Sequence, residues 1–561
     1  MADESGRTEP AAETDLDAAA AWARAHWRIV LVAAVALLVA VACREMQFNP
    51  DSIHYLDVAR TVLEDRVIGT WHLTADSQSA PDPLLYWPPV YPLALALVLA
   101  AGLSASVAAW AVSVAGYTAS AWLLARWQRQ PALAIAGVLA FIHLAFQSGA
   151  PFRAWSESTY LPLMLGSLVC MAAATASGSR RRAGWLGLLA GTLAGGMMLS
   201  RYAGLAVAPA LAGIAVLAPG RESEEEGARR NGILAAMGGM ALVVLPWLVR
   251  NAVVTGRLFG PARPPSERPV SEILFFTGAS IYFDLGAMLL ALIFAVAGYH
   301  LVRRGWDEEE RERATDGDGG AQVPAPQRGG GDGGARVPDL QQDGRPDVVF
   351  AGGLAAGALI CALSQIALIL LTFLLFQIDE PPTKRYFLPA YTCILLAGLA
   401  VLSQARPPEN VLGERWGLLL VLAAPIIIGP IFAGSVSTDV TPRQTQLDRW
   451  VEENTEANDL IIADRAWPIR FHTGRPVMEA GQVAATPISD GEAVAGALER
   501  VGEHVGEAYV IPREGEETRR VLASYRAAGL EIEEVATVRT EPHERRAAEM
   551  YEQVVYRVRW R

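Results

Sequence analysis

The sequence predicts a mainly α fold: a polytopic transmembrane helical bundle of about eleven spans, followed by a small C-terminal α/β domain outside the membrane. Three observations predict it. Of the 561 residues, 52% are hydrophobic, and the mean hydropathy is positive. Apolar runs near the spanning length of about 20 residues recur from Trp27 to Phe432. After Thr441 the pattern changes to short apolar β-type runs between polar helical stretches. The formal net charge of −12 excludes a general nucleic-acid footprint. The four cysteines, Cys43, Cys170, Cys361 and Cys393, all fall in apolar runs without CxxC spacing. A disulfide framework or a zinc site is therefore not indicated. No P-loop and no GxGxxG inside a βαβ unit is present, so nucleotide binding is not indicated either.

The elements follow in chain order. Residues 1–26 form an acidic, Ala-rich tail, expected to be loose and cytoplasmic. Trp27–Gln47 is the first span, with Arg24 and Arg28 on its inner flank. Its rival, a cleaved lipoprotein leader ending at Val41-Ala42-Cys43, would leave the later spans with a different topology. Residues 48–104 form a long outer loop whose apolar Val90–Gly102 is too short to cross and is expected to re-enter the membrane edge. Ala105–Ala125, Pro131–Gly149, Thr159–Ser177, Gly184–Leu199, Gly204–Leu217 and Ile233–Val249 alternate across the membrane. Ile281–Val302, Val348–Phe376, Tyr386–Leu402 and Trp416–Phe432 complete the set. Arginine clusters at Arg126 and Arg129, Arg180–Arg182 and Arg303-Arg304 recur on one side, which the positive-inside rule makes cytoplasmic. The stretch 305–347, rich in Gly, Asp, Pro and Gln, is expected to be a disordered cytoplasmic linker. Residues 441–561 carry strand patterns at Leu460–Ala463, Ala508–Ile511, Ile532–Thr540 and Gln553–Trp560. Helical patterns cover Gln444–Asn454 and Glu514–Ala528.

This topology gathers the polar loops Asn49–Pro89, Pro151–Ser158, Arg250–Glu272 and Gln377–Arg385 on the outer face. Ionisable groups at membrane depth are costly and are functional candidates by default. Pro50 suits the first position of a helix over Ser52–Glu64, which puts Asp51 in its first turn. Glu157 opens a span. Opposite these acids stand two basic sets, Arg201 with Tyr202, and Lys384-Arg385-Tyr386, where Lys384 is the one lysine among 47 basic residues. A carboxylate beside a hydroxyl can take its proton as the oxygen attacks. Cations facing it can hold a phosphate leaving group. A phosphate at the membrane edge with a lipid tail between helices is a polyprenyl-phosphate sugar, so the pattern fits glycosyl transfer on the outer face.

These residues also resemble the GT-C membrane glycosyltransferases. The resemblance rests on Pro50-Asp51-Ser52-Ile53-His54-Tyr55 after the first span, the re-entry Trp87-Pro88-Pro89-Val90-Tyr91-Pro92, Ser156-Glu157, Leu199-Ser200-Arg201-Tyr202, and Arg385-Tyr386-Phe387-Leu388-Pro389-Ala390. It covers Trp27 to about Phe432 and points to the branch with protein O-mannosyltransferases and the lipid A aminoarabinose transferase. It implies inverting transfer with Asp51 as general base and Glu157 as a second acid that positions acceptor or metal. Lys384, Arg385, Tyr386, Arg201 and Tyr202 would face the donor phosphate and lipid. His54, Tyr55, Trp87 and Tyr91 would position the acceptor or the loop. The family often has an acidic pair at the first motif, whereas here Ser52 follows Asp51. A divalent metal is therefore left open, with Asp51, His54 and Glu157 as the available set. The implied partners are a polyprenyl-phosphate sugar and a glycan, lipid or protein acceptor, at the plasma (inner) membrane with the N-terminus in the cytoplasm. The alternatives are a lipid-linked-glycan transporter or flippase, for which matching inverted halves are not seen, and an envelope assembly scaffold without catalysis.

Overall fold

The computed structural model describes residues 26–44, 46–75, 77, 79–84, 87–128, 131–217, 223–259, 268–279, 345–376, 384–403, 444–463, 466–479, 489–512, 516–540 and 551–560. The expected spans Ile281–Val302 and Trp416–Phe432, the N-terminal tail as far as 25, the linker as far as 344, Tyr86 and the Lys384 side chain lie outside them.

The helical part runs α1 (Trp27–Ala42), α2 (Pro50–Glu64), α3 (Val90–Leu99), α4 (Ala105–Arg126), α5 (Pro131–Gln147), α6 (Glu157–Thr175), α7 (Arg180–Met198), α8 (Val207–Leu217), α9 (Ser223–Thr255), α10 (Arg345–Leu375) and α11 (Lys384–Leu402). Within them, Ala105–Arg126, Glu157–Thr175, Glu226–Thr255 and Phe350–Leu375 are long and apolar enough to cross a membrane. Large apolar side chains such as Leu97, Trp185, Leu242 and Val253 are exposed on the outside of this bundle, which suits a hydrocarbon solvent.

Two boundaries differ from the sequence expectation. Helix α1 stops at Ala42 rather than Gln47, because the chain turns extended there: the Gln47 N–H donates to the Phe152 carbonyl at 2.8 Å and Gln47 bridges Arg153 in parallel. The charged run Arg221–Arg230, which joins the expected spans Gly204–Leu217 and Ile233–Val249, is helical from Ser223 and forms the start of the 33-residue α9. Its opening Ser and Glu run suits a helix N-terminus. Helix α3 is as short as expected: its 10 residues are about 15 Å long, too short to span.

Helices α7 and α9 approach closely. Gly187, Gly191 and Gly195 fall one turn apart on α7. A Cβ on Gly191 would lie 1.8 Å from the Ala236 carbonyl oxygen, and one on Gly187 would lie 2.0 Å from that of Gly232. Small residues at this spacing let backbones touch where no hydrophobic effect drives helices together.

The C-terminal region forms a six-stranded sheet in the order β2 (His72–Leu73), β5 (Val477–Glu479), β4 (Leu460–Ala463), β6 (Ala508–Ile511), β8 (Tyr551–Arg559) and β7 (Glu531–Thr540). The first four run parallel, and β6, β8 and β7 pair antiparallel. The short β1 (Gly69–Thr70) and β3 (Asp82–Pro83) pair separately within the first loop. Parallel neighbours need crossover connections, and these carry the helices α13 (Trp467–Thr473) and α14 (Gly491–Val501), beside α12 (Gln446–Asn454) and α15 (Glu516–Ala527). Leu460 and Ile462 pack on one face of the sheet, Ile461 and Ala463 on the other. Burial on both faces explains the unbroken apolar run Leu460–Ala463.

The edge strand β2 belongs to the first loop, so loop and sheet are one construction. A buried charge pair fastens them. Asp57 of α2 accepts from Arg470 Nε at 2.7 Å, from the Arg470 Nη2, from Thr70 Oγ1 at 2.5 Å and from the Trp71 N–H at 2.8 Å. Burial alone would raise the Asp57 pKa; Arg470 beside it and the hydrogen bonds outweigh that and hold it below the usual carboxylate value. Arg500 adds hydrogen bonds to the Ser77 and Ala75 carbonyls, both at 2.9 Å.

The α7–α9 contact yields a direct test. Gly191→Ala forces the two backbones apart and lowers stability by about 1–3 kcal/mol, read as a lowered thermal midpoint of the detergent-solubilised chain. An unchanged midpoint would contradict the close approach.

Candidate active site

The site is assembled from helix ends. Asn49 caps α2: its Oδ1 accepts from the Ser52 N–H at 3.0 Å and from Ser52 Oγ at 2.7 Å, while Pro50 takes the first helical position. This fixes Asp51 in the first turn. The same Asn49 Oδ1 accepts from Trp155 Nε1 at 3.0 Å, which draws the loop before α6 against the start of α2.

Arg385, at the start of α11, reaches across to this corner. Its Nη1 donates to Asp51 Oδ2 at 3.3 Å, and its Nη2 donates to the Tyr386 hydroxyl at 2.9 Å. The guanidinium carbon lies 4.4 Å from the Trp155 ring centre and 4.8 Å from that of Tyr386. The Arg385 side chain is 11% exposed and that of Asp51 is 28% exposed, so the acid stays reachable from outside.

The second acid and second arginine form their own pair. Glu157, fully buried at the start of α6, is ion-paired to Arg201. The Arg201 guanidinium in turn lies 5.6 Å from the Tyr386 ring centre. Two cations therefore share one aromatic ring, and a continuous series of contacts runs Glu157, Arg201, Tyr386, Arg385, Asp51. Ser200 holds this edge to α6 by donating to the Ser156 carbonyl at 3.2 Å and sharing a 2.6 Å hydrogen bond with Thr159. The Val90 N–H donates to the Leu199 carbonyl at 2.8 Å and so brings α3 to the same place.

Aromatic side chains line the inner side of α2. Tyr55 meets Tyr91 edge-on at 5.1 Å, and both are buried. His54 lies 4.2 Å from Trp87 and 6.0 Å from His72, ring centre to ring centre. His72 Nε2 is 2.9 Å from Glu479 Oε2 of the sheet. Burial, followed by the neighbouring His72, lowers the His54 pKa to about 4 against the opposing pull of Asp57 and Asp51.

The structure thus brings Asp51, Glu157, Arg201, Arg385 and Tyr386 together, with Tyr55, Tyr91, His54 and Trp87 beside them. Tyr202 goes elsewhere: its hydroxyl accepts from Trp247 Nε1 at 3.0 Å and Asn251 Nδ2 at 3.2 Å on α9. The backbone of Lys384 opens α11. Sequence reasoning missed Asn49, Trp155 and Asp57. Asn49 carried a usable signal, since Asn before Pro at a helix start is a cap pattern. Among the described residues no group of three His, Cys, Asp or Glu side chains is placed to hold a metal ion. Of the set Asp51, His54 and Glu157, the last is engaged by Arg201 and His54 is wedged between Trp87 and His72.

No protein-family model and no curated protein sequence matches the chain. Solved structures do. A mutant form of the arabinofuranosyltransferase AftD from Mycobacteria aligns at TM-score 0.50 and 16% identity, over 94% of this chain and 41% of AftD. ArnT from Cupriavidus metallidurans bound to undecaprenyl phosphate aligns at TM-score 0.45 and 13% identity, over 95% of this chain and 98% of ArnT. An oligosaccharyltransferase from Archaeoglobus fulgidus tethered with an acceptor peptide gives TM-score 0.48 and 13% identity, over 88% and 69%. The chain is similar in fold to AftD.

The His54 environment sets a pH dependence. The unfolded chain binds a proton at the ordinary 6.5, the folded one only near 4. Between those values the unfolded state holds more protons, so stability falls as pH drops. His54→Phe should flatten that part of a pH series of chemical unfolding; a series identical to the parent's would contradict the buried neutral imidazole.

Proposed function

We propose that this chain is a membrane glycosyltransferase that moves a sugar from a polyprenyl-phosphate donor to an acceptor hydroxyl, with inversion and with Asp51 as general base. The observation that carries the reading is the contact of a reachable acid, Asp51, with Arg385 at a membrane edge, where Arg201 and Tyr386 complete a cationic wall. The fold it shares with AftD supports the class of reaction.

The step balances as a single displacement. The acceptor oxygen attacks the anomeric carbon as its proton passes to Asp51. The bond from that carbon to the phosphate oxygen breaks, and its electron pair leaves on the polyprenyl phosphate. Arg385 and Arg201 meet the charge that grows there. In the resting state Arg385 keeps Asp51 company; an arriving phosphate takes the guanidinium over and leaves the carboxylate for the hydroxyl. Glu157 holds Arg201 in place for the same phosphate. His54 and Trp87, with Tyr55 and Tyr91 behind them, shape the acceptor side. Donor and acceptor line up on opposite sides of the sugar, which inverts its configuration.

Sidedness follows from charge. Arg28 at the start of α1, Arg126 at the end of α4 and Arg180–Arg182 at the start of α7 lie at the helix ends remote from Asp51. The positive-inside rule then assigns Asp51 and the sheet to the outer face. No step is routed through a metal, because the two guanidiniums supply the charge and two of the three candidate donors, Glu157 and His54, are otherwise engaged.

With radiolabelled polyprenyl-phosphate sugars as donors, Asp51→Asn should reduce transfer by about 100- to 10,000-fold, the usual worth of a general base, with an unchanged thermal midpoint. Full activity in that variant would remove the mechanism. Transfer should also continue undiminished in excess chelator. Loss of activity that an added divalent cation restores would contradict the assignment of phosphate charge to the arginines.

A further inference from the structure

A groove of about 510 Å³ runs along the outside of the bundle between α1 and α4. Val32 and Ala36 of α1 line it with Ala115 and Ala119 of α4, and Trp110 and Trp122 stand toward its two ends. The tryptophans are about 18 Å apart along the helix axis, a little more than one leaflet of a ~30 Å hydrocarbon core. Trp110 closes the end nearer Asp51 by donating to the Ala40 carbonyl at 2.9 Å.

The other end is polar and cationic. Arg126 lies 5.7 Å from the Trp122 ring centre, and Arg28 donates to the Gln128 carbonyl at 2.5 Å. Arg126 and Arg28 are near enough to repel each other, and no acid pairs with either among the described residues. Buried polar atoms collect at the same place without hydrogen-bond partners: Arg28 Nε, Trp127 Nε1, and both amide atoms of the fully buried Gln128. Leaving such atoms unmatched costs about 1–3 kcal/mol each, and an apolar groove whose end residue Trp122 stands beside Arg126 suits a ligand with an oxyanion head and a hydrocarbon tail.

We propose that this groove binds an anionic diacyl phospholipid from the leaflet opposite Asp51. One acyl chain would lie on Ala115 and Ala119 between the tryptophans, and the phosphate would sit between Arg28 and Arg126 with Trp127 and Gln128 donating to its oxygens. The site is separate from the sugar-transfer corner, since α1 and α4 carry it at their far ends.

The test is native mass spectrometry of the purified full chain, titrated with phosphatidylglycerol, with phosphatidylcholine of the same chains, and with inorganic phosphate. The chain should retain phosphatidylglycerol in preference to phosphatidylcholine. Changing Arg28→Gln and Arg126→Gln together should weaken phosphatidylglycerol by about thirtyfold, the worth of two cations near a lipid phosphate. Ala115→Phe, at an exposed position, should weaken both lipids by filling the channel; it decides the matter if the double variant does not fold. Equal retention of the two lipids by the parent, parental retention of phosphatidylglycerol by Ala115→Phe, or displacement of it by inorganic phosphate at equal concentration overturns the proposal.

Discussion

One oxygen sets the geometry of the corner where α2, α6 and α11 meet. Asn49 Oδ1 takes hydrogen bonds from the Ser52 N–H, the Ser52 hydroxyl and the Trp155 indole. The first fixes where α2 starts, and so where Asp51 points. The last brings in Trp155, whose ring lies beside the Arg385 guanidinium. Acid and cation come from positions 51 and 385, yet a capping amide and one indole bring their supports within a few ångströms. A cap is ordinarily a matter of local helix stability; here it also sets the distance between two charges.

The charges at that corner are balanced in pairs. Glu157 is sealed against Arg201, while Asp51 meets Arg385 at the open side. Breaking a sealed pair leaves an uncompensated buried charge, which is costly, so Glu157 and Arg201 act as fixed scaffolding. The open pair is cheaper to separate, because water can meet either partner. That asymmetry suits a site in which one acid must stay anionic and available while one arginine changes partners. The sheet contributes from the other side: Asp57 locks α2 to Arg470, and His72 with Glu479 closes over His54. The C-terminal region thus forms part of the wall around the loop helix.

Much of this was legible in the sequence. Pro50 before Asp51 marked a helix start, the apolar run at Leu460–Ala463 marked a buried strand, and the arginine clusters marked one end of the bundle. Asp51, Glu157, Arg201 and Arg385 stood out because charges beside apolar runs are rare. What escaped were partnerships across long separations. Nothing near Asp57 announces Arg470, and a two-residue strand at His72–Leu73 has no periodicity to detect. Tyr202 sits next to Arg201 in sequence but turns toward Trp247 and Asn251, since neighbours at the end of a helix point in different directions. The charged run that opens α9 reads as a connection between spans, because polarity alone does not distinguish a solvated helix from a loop.

The most direct measurement is a structure of the full chain in a lipid nanodisc with a polyprenyl phosphate bound. The expected result is a phosphate within hydrogen-bond distance of Arg385, with Arg201 on its other side and Asp51 released toward the open face. A phosphate seated away from both arginines, with the Asp51–Arg385 contact undisturbed, would contradict the assignment of this corner as the site of sugar transfer.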